Sequence, residues 1–171
     1  MKAFKFQKRG VNMERTDFSR YAKKYWDTVY RVAYNYYGNC HDAEDAVQEV
    51  MLKLYKCGKD FDSEEHIRNW LIKVTINNCK SILRSFWKKS HVSTEELPET
   101  PVWDNSEESE LFTAVMSLPQ NHRTVIYLYY YEEYSTKQIA EILGNSEAHI
   151  RTKISRARDK LKEALTNETT N

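Results

Sequence analysis

Basic side chains are concentrated near the carboxyl end of a chain that is otherwise almost neutral. Residues 150–162 hold six arginines and lysines against one acid, Asp159, whereas all 171 residues together carry a formal net charge of +1. Arginine can donate paired hydrogen bonds to a guanine edge or a phosphate, and lysine attracts phosphates as a point charge. These residue types suit recognition of nucleic acid by binding, and a merely solvated basic face is the alternative.

Two short helices must position these side chains. Apolar residues recur at intervals of three and four on both sides of Gly144, which predicts amphipathic helices over residues 135–143 and 146–162. Gly144 can adopt the positive φ at which a helix ends, and Ser135 with Gln138 suits a capping box. The spacing predicts a helix-turn-helix. The apolar positions expected to face inward are Ile139, Ala140, Leu143, Ile150, Ile154, Ala157 and Leu161.

The outer face of the second helix is predicted to be polar and basic. Once its apolar stripe faces inward, basic and hydroxyl side chains remain on the outside. Such a helix can enter the major groove of DNA and contact base edges and phosphates. We therefore predict that this segment is a recognition helix. Its candidate DNA-contacting residues are Arg151, Thr152, Lys153, Ser155, Arg156 and Arg158.

The rest of the chain also has the composition of a helical protein. Apolar residues make up 40% of it, while only four residues are glycine and three are proline. Alternating β-branched runs, which are typical of strands, are scarce. We therefore expect an all-α fold, either one medium domain or two small ones.

Several other classes of protein are disfavoured. No stretch approaches the roughly 20 apolar residues that span a bilayer, and the first ten residues lack an apolar signal core, so we expect a cytoplasmic protein without membrane insertion. Cys40, Cys57 and Cys79 are too few and too widely spaced for a disulfide framework or a zinc site. With no glycine-rich phosphate loop or nucleophile motif, we expect neither an enzyme nor a cofactor.

An acidic segment divides the chain. Residues 93–110 contain seven acids, two prolines and no base. This composition is typical of a flexible linker between two helical domains. The linker could be a solvated tether or an acidic strand that threads a basic channel, and composition leaves both open.

A helix predicted over residues 42–55 has one apolar side and one polar side. Asp45 and Glu49 are like charges four residues apart, which costs an isolated helix about 0.2–0.5 kcal/mol. A basic protein partner would relieve this repulsion, although water alone would also tolerate it. The candidate partner-binding residues are Glu44, Asp45, Gln48 and Glu49.

The segment 67–89 carries a helical apolar stripe with two unexpected residues in its middle. Asn77 and Asn78 each cost a helix roughly 0.5–0.7 kcal/mol relative to alanine. Basic and aromatic residues surround them, which favours stacking of unpaired bases and contact with a single-strand backbone, with core aromatics and a solvated rim as the alternative. The residues of this surface are Trp70, Lys73, Asn77, Asn78, Lys80, Arg84, Trp87, Lys88 and Lys89.

Three segments together resemble one known family. DAEDAVQEVMLKLY, NWLIKVTINNCKSILR and the stretch from Leu118 to Leu161 are similar, in this order, to regions 2.2, 2.3–2.4 and 4 of sigma-70 family RNA polymerase sigma factors. The chain is most similar to the extracytoplasmic-function group, which contains only regions 2 and 4. The resemblance covers residues 18–165.

The resemblance implies a role for each segment. The polar face of residues 42–55 would bind the β′ clamp coiled coil of core RNA polymerase. The helix-turn-helix would contact the minus-35 promoter element through the basic face described above. The segment 67–89 and the preceding loop, residues 61–65, would melt the minus-10 element. The minus-10 candidates are Phe61, Trp70, Lys73, Asn77, Asn78, Lys80 and Arg84.

The same resemblance implies a domain layout and partners. The expected layout is an N-terminal extension (1–15), a region 2 domain (16–91), a linker (92–108), a region 4 domain (109–166) and a tail (167–171). The implied partners are core RNA polymerase, through its β′ clamp and β flap, promoter DNA and an anti-sigma factor. The implied function is promoter recognition and transcription initiation without catalysis.

Two other interpretations remain open at this point. In a ligand-sensing repressor or activator, the N-terminal helices would form a ligand pocket or dimer interface, and the protein would bind operator DNA without polymerase. In a sigma-like adaptor, the chain would bind polymerase without recognising a promoter.

Overall fold

The computed structural model describes residues 13–89 and 106–168, and within them side chains for residues 13–84 and 110–166. The predicted all-α class is confirmed, because the described residues form helices and no strand. Trp87, Lys88 and Lys89, predicted above to lie on a basic surface, fall outside the described side chains. The helices are α1 (Arg15–Tyr37), α2 (Cys40–Lys56), α3 (Glu64–Lys89), α4 (Ser106–Ser117), α5 (Gln120–Ile126), a π-helix (Tyr127–Tyr131), α6 (Thr136–Leu143) and α7 (Glu147–Glu168).

Helices α1 to α3 form what we call the N-terminal lobe, residues 13–89. Helix α1 ends at Gly38, whose φ of 74° is the left-handed conformation that glycine adopts without strain. Asn39 then caps α2, because its side chain accepts a hydrogen bond of 2.8 Å from the backbone N–H of Asp42. The three helices enclose an apolar cluster that includes Val29, Val47, Val50, Leu54, Ile67 and Leu71.

The remaining helices form the C-terminal lobe, residues 106–168. Its apolar side chains pack against one another, for example between α7 and helices α5 and α6. They join buried residues of the N-terminal lobe in one continuous cluster. The N-terminal members include Ala33, Tyr36, Ile72, Ile76 and Cys79, and the C-terminal members include Leu118, Val125, Leu128, Ile139, Ile150 and Ile154.

Helix α4 begins inside the segment predicted to be the linker. Residues 106–108, at the end of the predicted linker 92–108, are helical, and residues 90–105 lie outside the described residues. Acidic residues at positions 107 and 108 favour a helix start, because negative charge complements the positive end of the helix dipole.

A π-helix of five residues interrupts the C-terminal lobe between α5 and α6. It ends in a turn where Glu133 has a φ of 58°, the only non-glycine residue with positive φ among the described residues. The backbone N–H of Tyr134 donates to the carbonyl of Leu128 at 3.0 Å and closes this turn. The turn therefore holds its shape against the preference of an L-residue.

None of the described helices has an apolar stretch long enough to cross a lipid bilayer.

Candidate nucleic-acid interface

Helices α6 and α7 form the predicted helix-turn-helix. Ser135 and Gln138 make the expected capping box at the start of α6, and Gly144 ends α6 with a φ of 66°. Ile150, Ile154 and Ala157 of α7 are buried against the rest of the lobe. The opposite face of α7 is therefore turned to solvent.

The outer face of α7 presents most of the predicted DNA-contacting residues. Five of the six are exposed, whereas Lys153 is partly buried. The exposed residues are Arg151, Thr152, Ser155, Arg156 and Arg158. The arrangement gives a continuous surface of guanidinium and hydroxyl groups along one helix.

Arg151 is held by a contact between the two helices of the motif. Its guanidinium donates to a Glu147 carboxylate oxygen at 2.6 Å, and the Thr136 hydroxyl of α6 donates to the same oxygen at 2.7 Å. The Thr136 and Arg151 hydrogen bonds lower the pKa of Glu147. Glu147 therefore orients Arg151 before any ligand arrives.

Arg158 lies against the aromatic residues of the π-helix. Its Nε donates to the Tyr130 hydroxyl at 2.6 Å, and its guanidinium lies 5.9 Å from the centre of the Tyr129 ring. These contacts hold Arg158 at the edge of the basic face. The π-helix is a feature that the sequence analysis missed, because its tyrosines fit an α-helical pattern equally well.

On α3, five of the predicted residues share one face because they recur at intervals of three and four. Lys73, Asn77 and Arg84 are exposed, while Trp70 and Lys80 are partly buried. The centre of the Trp70 ring lies 5.5 Å from that of Phe61 in an edge-on contact, so the structure brings the predicted loop aromatic onto this helix. Both rings are partly buried and pack against the apolar cluster of the N-terminal lobe, so only their exposed parts, beside the basic groups, are available for stacking of unpaired bases.

Asn78 differs from the other residues predicted on α3. It is 6% exposed, and its amide donates to the Glu49 carboxylate at 2.8 Å and accepts a hydrogen bond from the Lys53 ammonium. Asn78 thus joins α3 to α2 inside the N-terminal lobe. This role explains why an asparagine occurs in the middle of a helix, and it gives Asn78 little surface for contact with DNA.

The polar face of α2 is exposed as predicted. Glu44, Asp45, Gln48 and Glu49 all lie at the surface. The exposed apolar side chain of Leu52 lies next to them, in an open cleft of about 500 Å³ that Glu49 also lines. Leu52 was not among the residues predicted from the sequence, although its position off the buried stripe of α2 was a usable signal.

A network of polar contacts joins the two lobes. The Arg68 guanidinium of α3 donates to the Glu132 carboxylate at 2.7 Å and to the Glu132 carbonyl at 3.0 Å. Glu132 is buried, and its other carboxylate oxygen accepts a hydrogen bond of 2.7 Å from the Tyr127 hydroxyl. Arg68 also lies 4.8 Å from the centre of the Tyr134 ring.

Two further contacts cross between the lobes. The buried Arg123 of α5 donates to the Tyr36 carbonyl at the end of α1, at 3.4 Å. The Gln138 amide of α6 donates to the Glu65 carboxylate of α3 at 2.8 Å. The Gln138 contact holds the helix-turn-helix against α3, and Lys80 and Lys153 line one cavity of about 300 Å³.

The three cysteines are free, and the described residues contain no group of three or more His, Cys, Asp or Glu side chains able to hold a metal ion. Burial raises the pKa of the Cys79 thiol to about 11.

Comparison with known proteins gives consistent matches for both lobes. The family models for Sigma-70 region 2 and Sigma-70, region 4 match residues 21–89 and 114–163. The ECF RNA polymerase sigma factor SigW of Bacillus subtilis is 28% identical over 158 residues, covering 82% of this chain and 84% of that protein. RNA polymerase sigma factor SigV of the same organism is 30% identical over 142 residues, covering 81% and 85%.

Solved structures with the same fold include two protein complexes. The sigma factor RpoE bound to the anti-sigma factor NepR, from Bartonella quintana, gives a TM-score of 0.76 with 23% identity and covers 88% of this chain and 98% of that one. CnrH bound to the cytosolic domain of CnrY gives a TM-score of 0.65 with 21% identity and covers 90% of each chain. At these identities the likeness establishes the fold.

Proposed function

The chain belongs to the sigma-70 family of RNA polymerase sigma factors, and from that premise we propose how its two lobes divide the work of promoter recognition. As a sigma factor, it acts with core RNA polymerase on promoter DNA and starts transcription. Sigma factors generally act by binding and not by catalysing a reaction.

The C-terminal lobe contacts the minus-35 element through α7. The observation that carries this proposal is the exposed basic face of α7, opposite its buried residues Ile150 and Ile154. Arg151 and Arg156 are the residues proposed to read base edges, because a guanidinium can pair with a guanine through two hydrogen bonds. The shorter hydroxyl side chains Thr152 and Ser155 lie beside them and suit phosphate or base contacts.

The N-terminal lobe stabilises the unpaired minus-10 strand on α3. Phe61 and Trp70 provide the aromatic surface, and Lys73, Asn77 and Arg84 extend from the same face of the helix. Stacking on an aromatic side chain is worth about 1–3 kcal/mol per base, which is enough to favour the melted strand when several bases bind. Asn78 is left out of this set because it bridges α2 and α3.

The polar face of α2 binds the β′ clamp coiled coil of the polymerase. Its four exposed polar residues give electrostatic complementarity to a basic surface, and Leu52 adds exposed apolar area at the carboxyl-terminal edge of the patch. The C-terminal lobe is proposed to meet the β flap. An anti-sigma factor is a further proposed partner, since RpoE and CnrH were each solved with a partner protein.

The two lobes must separate when the promoter is bound. Elements at minus-35 and minus-10 lie about 25 base pairs apart, or about 85 Å at about 3.4 Å per base pair. Lys80 of α3 and Lys153 of α7, assigned to different elements, line one cavity of about 300 Å³. The described arrangement is therefore a closed form that cannot contact both elements at once.

The direct test is in vitro transcription from a library of promoter fragments, with core polymerase and with or without the full chain. Initiation that depends on the protein and shares minus-35 and minus-10 sequences supports the assignment. Tight operator binding by the protein alone, without initiation, would favour a repressor or activator instead. Polymerase binding without open complexes would indicate an adaptor.

A further inference from the structure

A cavity of about 300 Å³ lies where the two lobes meet. Lys80 of the N-terminal lobe and Lys153 of the C-terminal lobe both line it, and both side chains are partly buried. Asn121 and Asn145 also line it, and the Asn145 amide donates to the Leu143 carbonyl at 3.1 Å. The volume is at the lower end of the range for small-molecule sites.

The charges around this cavity are unbalanced. None of the described residues that line it is acidic. Burial, Lys153 and Arg84 together lower the pKa of Lys80. Burial and three nearby basic residues, Lys160, Lys153 and Arg156, likewise lower the pKa of His122, which follows the lining residue Asn121 in the chain. In the closed form, positive side chains are therefore concentrated around a partly desolvated cavity. Like charges repel more strongly there than in water.

We propose that this cavity binds a small phosphate-bearing anion, held between Lys80 and Lys153, and that the bound anion stabilises the closed form. A phosphate group carries a charge near −2 and several acceptor oxygens, so it can pair with two ammonium groups at once. The Asn121 amide and the second N–H of the Asn145 amide can donate to the remaining oxygens. The source of the phosphate is either an inorganic pyrophosphate-type ion or the phosphate chain of a nucleotide.

The effect of the anion on promoter binding rests on the proposed function. Lys80 and Lys153 belong to surfaces proposed to contact different promoter elements. An anion that needs both lysines at one cavity is lost when the lobes separate. Anion binding and promoter binding therefore oppose each other, and a ligand selective for the closed form shifts the population toward it.

The test is isothermal titration calorimetry of the full chain with sodium pyrophosphate, at constant ionic strength. One binding site per chain is expected. Replacing either lysine, as Lys80→Gln or Lys153→Gln, should weaken binding by about tenfold or more, because one of two charge-assisted contacts is lost. Lys153→Arg should retain binding, because the positive charge is kept.

Lys162→Gln is the matched control. It removes the same charge from the same helix, α7, at an exposed position that does not line the cavity. Its pyrophosphate affinity should equal that of the unaltered chain. Circular dichroism and thermal melting of every variant will show that each is folded, since all the changes are at partly or fully exposed side chains.

A second measurement tests the link to the closed form. Pyrophosphate should slow amide hydrogen exchange in α3, α5 and α6, where the lobes meet, in the unaltered chain and not in Lys80→Gln. Repeating the calorimetry with ATP distinguishes a nucleotide from an inorganic ion as the source of the phosphate. Tighter binding of ATP supports a nucleotide, and equal affinity supports an inorganic ion.

Three outcomes would overturn the inference. They are an absence of binding for both probes, equal weakening by Lys162→Gln and Lys80→Gln, and binding without any effect on hydrogen exchange. Neither polymerase nor DNA is present in these measurements. Absence of anion binding therefore does not decide whether the protein supports promoter-dependent initiation, which the transcription assay measures. Absence of initiation likewise does not decide whether the cavity binds an anion, which calorimetry measures.

Discussion

Arg156 lies on the exposed face of α7 among the residues proposed to contact the minus-35 element. We expect Arg156→Ala to lower promoter-specific transcription, because loss of one guanidinium contact to a base costs about 1–3 kcal/mol. The measurement is in vitro transcription from a promoter found in the library. Arg151→Ala should act in the same direction, and it also frees Glu147 from its contact at 2.6 Å.

Arg20→Ala serves as the control for this prediction, because Arg20 is an exposed arginine of α1 that pairs with Asp17 far from α7 in sequence. It should leave transcription unchanged. Full activity of both Arg151→Ala and Arg156→Ala would reject α7 as the helix that reads the promoter.

Arg68 supports the contact between the lobes through one buried carboxylate. Arg68→Ala leaves Glu132, whose side chain is 7% exposed, without its cationic partner. We expect the free energy of unfolding to fall by about 1.5–3 kcal/mol, the usual contribution of hydrogen bonds to charged groups. Urea unfolding of the full chain measures this. Arg20→Ala, which breaks an exposed pair, should change stability by less than about 1 kcal/mol, and an equal loss would contradict the assigned role of Arg68.

Among the elements, the turn after the π-helix stores local strain. Glu133 is exposed and has a φ of 58°, a conformation that glycine adopts freely. We expect Glu133→Gly to raise the free energy of unfolding by about 0.5–1 kcal/mol. Glu141→Gly makes the same chemical change inside α6, where glycine should cost about 1 kcal/mol. Thermal melting distinguishes the two, and destabilisation by both would show that the turn is not strained.

The elements also show how far the sequence could be interpreted. The capping box of Ser135 and Gln138, the turn at Gly144 and the inward face of α7 depend on local spacing, so they were predictable. The internal role of Asn78 was not, because its partners Glu49 and Lys53 lie on another helix. The same limit applies to the contact of Lys80 with the C-terminal lobe, since sequence spacing does not determine how two lobes pack.

For the whole molecule, we expect stability to fall at alkaline pH. Burial raises the pKa of Tyr36 and of Tyr134 from 10.0 to about 12 in the folded chain. Above pH 10 the unfolded chain has lost these protons while the folded chain retains them. The stabilisation is therefore present below pH 10 and is lost as the pH rises from 10 to 12, at about 1.4 kcal/mol per pH unit for each group at most.

Urea unfolding at a series of pH values from neutral to alkaline measures this loss. Tyr36→Phe, which removes one titrating group, should make the fall between pH 10 and 12 less steep. Stability that does not decrease over that range would contradict the burial of these phenols.

The closed form makes a second prediction for the whole molecule. A short amine-reactive cross-linker should join Lys80 to Lys153 in the free protein, because both lysines line one cavity. The cross-link should disappear in a promoter complex, where the two residues are proposed to lie on elements about 85 Å apart. Mass spectrometry of the digested protein identifies the linked peptides. A persistent cross-link in a transcribing complex would show that the lobes do not separate.

The continuous apolar cluster also limits how freely the lobes can be exchanged between relatives. Residues such as Ile72 and Cys79 on one side pack in the same cluster as Val125 and Ile139 on the other. Packing is sensitive to changes of a single methylene, so substitutions on the two sides of this cluster must be matched in volume. A chimera that takes its helix-turn-helix lobe from a relative about 30% identical, such as SigV, would therefore inherit voids and overlaps at this junction. Swapping minus-35 specificity between such proteins should therefore need only the exposed face of α7.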